Sequence, residues 1–160
     1  MVTSDVSSKN IDLVERHGIF NETEFRARYS IHLESYRKVV NIEARTMVDM
    51  AMHQILPAAA AYSGELCQTA AGKKALGVSC RSELDLISKL SESQDALYDR
   101  IQQLIRELTG IPADAKTAAE YCRQVIIPSM DAIRSHADRL EELTAKKYWP
   151  FPTYSDMLFY

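Results

Sequence analysis

From Glu22 to about Leu76 the chain carries an apolar stripe that only a helix can keep on one side. Steps of four, four and three residues lead from Phe25 through Tyr29, Leu33, Tyr36, Val40, Ala44, Met47, Ala51, Ile55, Ala58, Tyr62 and Leu66 to Thr69, and twelve of these thirteen positions are apolar or aromatic. An eleven-residue period is about 3.67 residues per turn, close to the α-helix's own, so the stripe follows a nearly straight rod. At ~1.5 Å of rise per residue that rod is roughly 80 Å long, more than the width of a compact domain of this size. Such a rod needs other elements to lean on.

The remaining segments supply them. Residues 1–8 are small and polar and read as a flexible lead. Lys9 to His17 turns Ile11, Leu13 and Val14 toward one side as a short helix, and Gly18 suits the left-handed conformation that ends it. Asn21 and Glu24 have capping-box spacing before the long helix, and Phe20 and Phe25 have the spacing of a hydrophobic staple. Pro57 interrupts the rod without ending the stripe, so a bend near Gln54 is expected. A loop from Leu76 to Arg81 leads to a second helix, Ser82 to Thr109, with Leu86, Leu90, Leu97, Ile101, Leu104 and Leu108 on one face and Gly110 and Pro112 as its stop. Asp114 or a neighbour caps a third, whose line runs through Ala118, Cys122, Ile126, Ser129, Ile133, Ala137, Leu140 and Thr144, with Pro128 bending it as Pro57 bends the first.

The predicted fold is therefore all-α. It is an elongated antiparallel bundle of three long helices, the first longest and bent at proline, with a short N-terminal helix and an extended aromatic tail. Residues 9–147 form the bundle and 148–160 the tail, within one domain. The tail, YWPFPTYSDMLFY, holds six of the chain's thirteen aromatics, and Pro150 and Pro152 oppose a continued helix. An extended aromatic peptide left in water would aggregate, so it docks into a groove. Trp149, Phe151, Tyr154, Leu158 and Phe159 are its anchors, seated either on this chain's own bundle or on a neighbour.

Net charge is −3 with both signs interspersed along the helices, which leaves no basic face for nucleic acid and no polybasic run for a membrane. Cys67, Cys80 and Cys122 are odd in number and lack CxxC spacing, as expected of reduced thiols in the cytoplasm. No stretch has the length and apolarity of a membrane span.

Catalytic signatures are missing. There is no glycine-rich phosphate loop, no GxSxG, no HExxH, and no Glu-x-x-His of the kind that builds di-iron sites in bundles. Asp49 and His53, four apart, could share a metal, but two ligands do not make a site, and an ion pair on a solvated face explains them. His32, Glu43, Gln54 and Glu65 recur every eleven residues at the stripe's edge. A polar border accounts for them, although such groups also fix register against a partner. Tyr29, Tyr36 and Tyr62 read as core or a partly dry interface. From its residues alone the chain is an interaction or structural domain.

Three strings go further. VERHGIF, RYSIHLESYRKVVNIEARTMVDMAMHQILPAA and YWPFPTYSDMLF, in this order, resemble the C-terminal helical region of type III glutamine synthetases; Cys67 to Ala119 matches that region mainly in helical pattern. The resemblance implies a ring-forming, oligomeric parent enzyme that joins ammonia to glutamate with ATP and a divalent metal, Mg or Mn. It assigns no catalytic, cofactor or metal residue to this chain, because the family's active-site elements lie in preceding regions. The chain alone is expected to be inactive and to brace subunit assembly or the catalytic domain. Its partners would be the rest of the synthetase and neighbouring subunits. The second helix should return along roughly Met50 to Leu76, leaving Phe25, Tyr29, Leu33, Tyr36 and Val40 for those partners, with the short helix covering part of them. The other reading is a stand-alone helical adaptor.

Overall fold

The computed structural model describes residues 7–152 and 154–158, and every regular element among them is helical. Helix α1 (Ser8–Arg16) starts one residue earlier than expected because the Ser7 hydroxyl accepts the Asn10 N–H as its cap. Gly18, at φ 63°, reverses the chain after it. At the start of α2 (Glu22–Met50) the capping box is complete, with the Asn21 side chain accepting the Glu24 N–H and the Glu24 carboxylate accepting the Asn21 N–H. Phe20 lies under Arg28, whose guanidinium carbon is 4.5 Å from its ring centroid.

The backbone then stays helical to Ala75, through a π-helical turn at Ala51–Ile55 and into α3 (Leu56–Ala75). Pro57 dictates that turn: it has no N–H for the carbonyl of His53, and its ring would collide with that carbonyl in a regular helix. A widened turn, in which the Leu56 N–H reaches back five residues to the Ala51 carbonyl, relieves both problems. The interruption expected at Gln54 thus takes the form of a π turn. The extra residue also shifts the phase of the stripe. Beyond it the fully buried positions are Ala59 and Ala70, each one residue later than the Ala58 and Thr69 of the sequence pattern.

Gly77, at φ 69°, turns the chain into α4 (Arg81–Thr109), which packs along α3. Its far end reaches Arg45 and Val48, past the expected limit at Met50, since Ile105, Leu108 and Thr109 share a cleft with them. After Gly110 the chain passes to α5 (Ala115–Tyr121), capped by Asp114 Oδ2 on the Thr117 N–H at 3.0 Å. A second π turn, Cys122–Ile126, precedes Pro128 and α6 (Ile127–Leu143), with the Ile127 N–H on the Cys122 carbonyl. The same cause acts in both places: Ile-Leu-Pro and Ile-Ile-Pro each follow directly from a widened turn.

Because α5 begins beyond the end of α4, it packs on α2, and α6 then runs back along α4. This corrects the expectation of an uncovered face. Leu33 and Val40 are only 5% and 4% exposed, buried by this chain itself, and are not open to a partner. Tyr36 is half-buried against the core. Burial, with the Cys122 thiol beside it, pushes its hydroxyl above the ordinary tyrosine range. Phe25 and Tyr29 are half-buried too.

The core lines of α4 and of α5 to α6 are the ones their spacing indicates. Leu90, Leu97, Ile101 and Leu104 of α4 and Ile126, Ile133 and Leu140 of the third rod are fully enclosed. No helix among the described residues is long and apolar enough to cross a membrane. Leu97→Ala should cost about 2–5 kcal/mol through lost transfer energy and the cavity left behind. Urea denaturation followed by circular dichroism measures this, and a loss well under 1 kcal/mol would mean Leu97 is not enclosed.

Candidate functional site

Chemistry-bearing side chains meet where the tail returns to the first rod. Thr144, in extended conformation, ends α6. A turn follows, with the Tyr148 N–H on the Ala145 carbonyl at 2.8 Å and the Trp149 N–H on the Lys146 carbonyl at 3.2 Å. It delivers Lys147 and Tyr148 to one carboxylate on α3. Lys147 Nζ donates to both oxygens of Glu65, at 2.9 and 2.8 Å, and the Tyr148 hydroxyl donates to Oε2. The Tyr148 ring lies against Tyr62, centroids 5.5 Å apart. The Lys147 hydrogen bond, and after it that of Tyr148, holds the Glu65 carboxyl below the usual glutamate range. The same carboxylate raises Lys147 and Tyr148 above their usual values.

Glu65 belongs to the eleven-residue polar row, and here it meets the tail's turn through Lys147 and Tyr148. The rest of the row does not gather with it: His32 and Gln54 are exposed, and Glu43 lies at the rim of a different feature.

The tail candidates divide. Trp149 and Phe151 are half-buried against the core, edge to face with centroids 6.3 Å apart, so they dock on this chain's own bundle. Leu158 is 76% exposed. Phe159 and the Tyr154 side chain fall outside what the structure describes. The tail is also not extended throughout, because α7 (Tyr154–Leu158) forms once both prolines are passed. Asp156 on α7 pairs with Lys146, closing the tail into a loop.

Beside this loop lies an apolar groove of about 540 Å³. Met47, Met50 and Ile55 of the first rod and Met130 and Ile133 of α6 line it, while Pro152 and Met157 of the tail form one wall. Unbranched methionines make such a surface adaptable. Glu43, Arg134, Asp138 and Glu141 stand around it. Sequence reading missed the groove, since Met130 and Met157 lie off the helical lines that identified the core.

The residues do not fit the metal implied by the resemblance. Among the described residues no three His, Cys, Asp or Glu side chains gather as a metal site requires. Asp49 and His53, 3.7 Å apart, are both well exposed. Cys122 is buried, and burial pushes its thiol above the ordinary cysteine range, away from nucleophilic use.

The described residues form an all-helical fold whose tail returns to α3 at Glu65. Comparison with known proteins shows what the chain is similar to. Residues 1–74 match the family model described as the glutamine synthetase C-terminal domain. A glutamine synthetase of Butyrivibrio fibrisolvens is 34% identical over 158 residues, which is 96% of this chain and 23% of that protein. A glutamine synthetase of Bacteroides fragilis (strain YCH46) is 29% identical, over 98% of this chain and 22% of the relative. A type-3 glutamine synthetase of Dictyostelium discoideum is 28% identical, over 99% and 23%. Over residues 1–74 the chain is similar to glutamine synthetase C-terminal domains, a type-3 form is among the relatives it resembles along nearly its whole length, and it spans under a quarter of the length of these relatives.

The clasp makes tail docking pH-dependent at both extremes. Glu65, lowered by its partners, contributes above its ordinary pKa, and the contribution is lost as pH falls through the lowered value. Lys147, raised by Glu65, contributes below its ordinary pKa and loses this as pH rises through the raised value. The single tryptophan, Trp149, reports the change. Its emission should be constant near neutrality and shift to the red below about pH 4 and above about pH 10.5, the ordinary glutamate and lysine values. A flat profile with helicity retained would show that the clasp does not hold the tail.

Proposed function

We propose that this domain is the helical brace of a glutamine synthetase whose catalytic region lies elsewhere in the parent protein. The carrying observation is an alignment that runs through nearly the entire chain yet takes up only 22–23% of each relative. On this reading the parent makes glutamine from glutamate and ammonia in the cytoplasm, with ATP and Mg or Mn bound outside this chain. The partners of the domain are the rest of the synthetase and neighbouring subunits of a homo-oligomer. The three-rod antiparallel bundle acts as the strut, and the half-buried Phe25 and Tyr29, together with exposed Leu158, are the contacts it offers. A stiff rod suits the task because a bundle cross-linked along its length carries load between distant surfaces without bending.

The test uses the full-length protein that contains this domain. It should form glutamine from glutamate, ammonia and ATP in the presence of Mg²⁺ or Mn²⁺, whereas the 160-residue chain alone forms none. Removing residues 9–158 should reduce both the sedimentation coefficient by more than the lost mass explains and the activity. A full-length protein that makes no glutamine, or one that assembles and turns over unchanged without the domain, would overturn the reading.

A further inference from the structure

We propose that residues 145–152 and 154–158 form a releasable strap that gates the methionine-lined groove, with Glu65 as its latch. Four features of the fold converge on this. Both side chains that tie the strap's turn to α3, Lys147 and Tyr148, end on the one carboxylate of Glu65. That latch is accessible, with the Lys147 and Glu65 side chains 62% and 45% exposed, and solvent-exposed ion pairs are weak and easily opened. The Lys146–Asp156 pair joins the two ends of the strap, so the turn, the Trp149–Phe151 pair and α7 form one linked unit. Finally, the strap closes the groove only in part. Pro152 and Met157 form one wall, yet Met157 keeps 59% of its surface in water.

The consequence is a coupled opening. When Lys147 and Tyr148 leave Glu65, Tyr62 loses its ring partner, Trp149 and Phe151 lift from the core, and the groove loses the wall made by Pro152 and Met157. The device concerns this chain's own conformation and stands whether or not the parent makes glutamine.

Glu65→Lys, in the 160-residue chain at neutral pH, places like charge against Lys147. Trp149 emission should shift to the red and the fluorescence of anilinonaphthalene sulfonate, an apolar dye, should rise several-fold, while helicity by circular dichroism is unchanged. Restoring the opposite charges with Glu65→Lys plus Lys147→Glu should return both signals toward the parent values. Thr46→Phe, which narrows the groove from its exposed side, should reduce the dye signal in the Glu65→Lys background. Glu65→Gln, a milder change, should give a partial shift of the same sign and serves if Glu65→Lys lowers helicity. Unchanged tryptophan emission and dye signal in both Glu65 variants would overturn the latch. A dye signal indifferent to Thr46→Phe would overturn the gate.

Discussion

Everything in this fold depends on burying the apolar stripe of a rod too long to stand alone. Where the contact is tightest the rod presents Ala44, Ala51 and Ala59, almost wholly enclosed, while the shorter helices contribute Leu97, Ile101, Leu104, Ile133 and Leu140. Small residues on one side let large ones on the other interlock at the density of a protein interior. Each large side chain so enclosed is worth about 1.5–3 kcal/mol in apolar burial. The small residues therefore matter for the room they leave, and enlarging any of them would push the helices apart.

Two prolines set the shape of the rods without ending them. Pro57 and Pro128 each follow a π turn that accommodates the missing donor and the ring, and one face of each turn packs into the core, with Ala51 and Ile55 or Cys122 and Ile126 buried. Burial explains why the helix resumes: leaving the rod would expose these apolar residues to water. The first π turn also borders the groove, through Ala51 and Ile55. The same irregularity that spares the helix thus helps shape the surface that the tail partly covers.

Much of this was legible in the sequence, for local reasons. The stripe, the Asn21–Glu24 box, the Asp114 cap and the leucine line of α4 are each written within a few residues of where they act. What the sequence hid depends on distant partners or on accumulated phase. The one-residue shift from Ala58 to Ala59 follows from the turn Pro57 forces, which a strict eleven-residue count ignores. Leu33 and Val40 looked uncovered because the start of the third rod relative to α2 is set by where α4 ends. Glu65 stood in a visible polar row, yet nothing near it in sequence named Lys147 and Tyr148, 82 and 83 positions away. The three strings that resemble type III glutamine synthetases agree with the similarity that the comparisons find along the chain.

The account rests on the first rod being one continuous helix, held most firmly where α4 and α6 both lie on it and least where only α1 and α5 do. Amide hydrogen exchange followed by mass spectrometry tests this along the whole rod. The slowest exchange should span Ala44 to Tyr62, straight through the π turn, and protection should fall progressively from Val40 toward Glu22. Rapid exchange centred on Ala51–Ile55, with two separately protected flanks, would mean the rod is two helices joined by a break, and the brace would lose its physical basis.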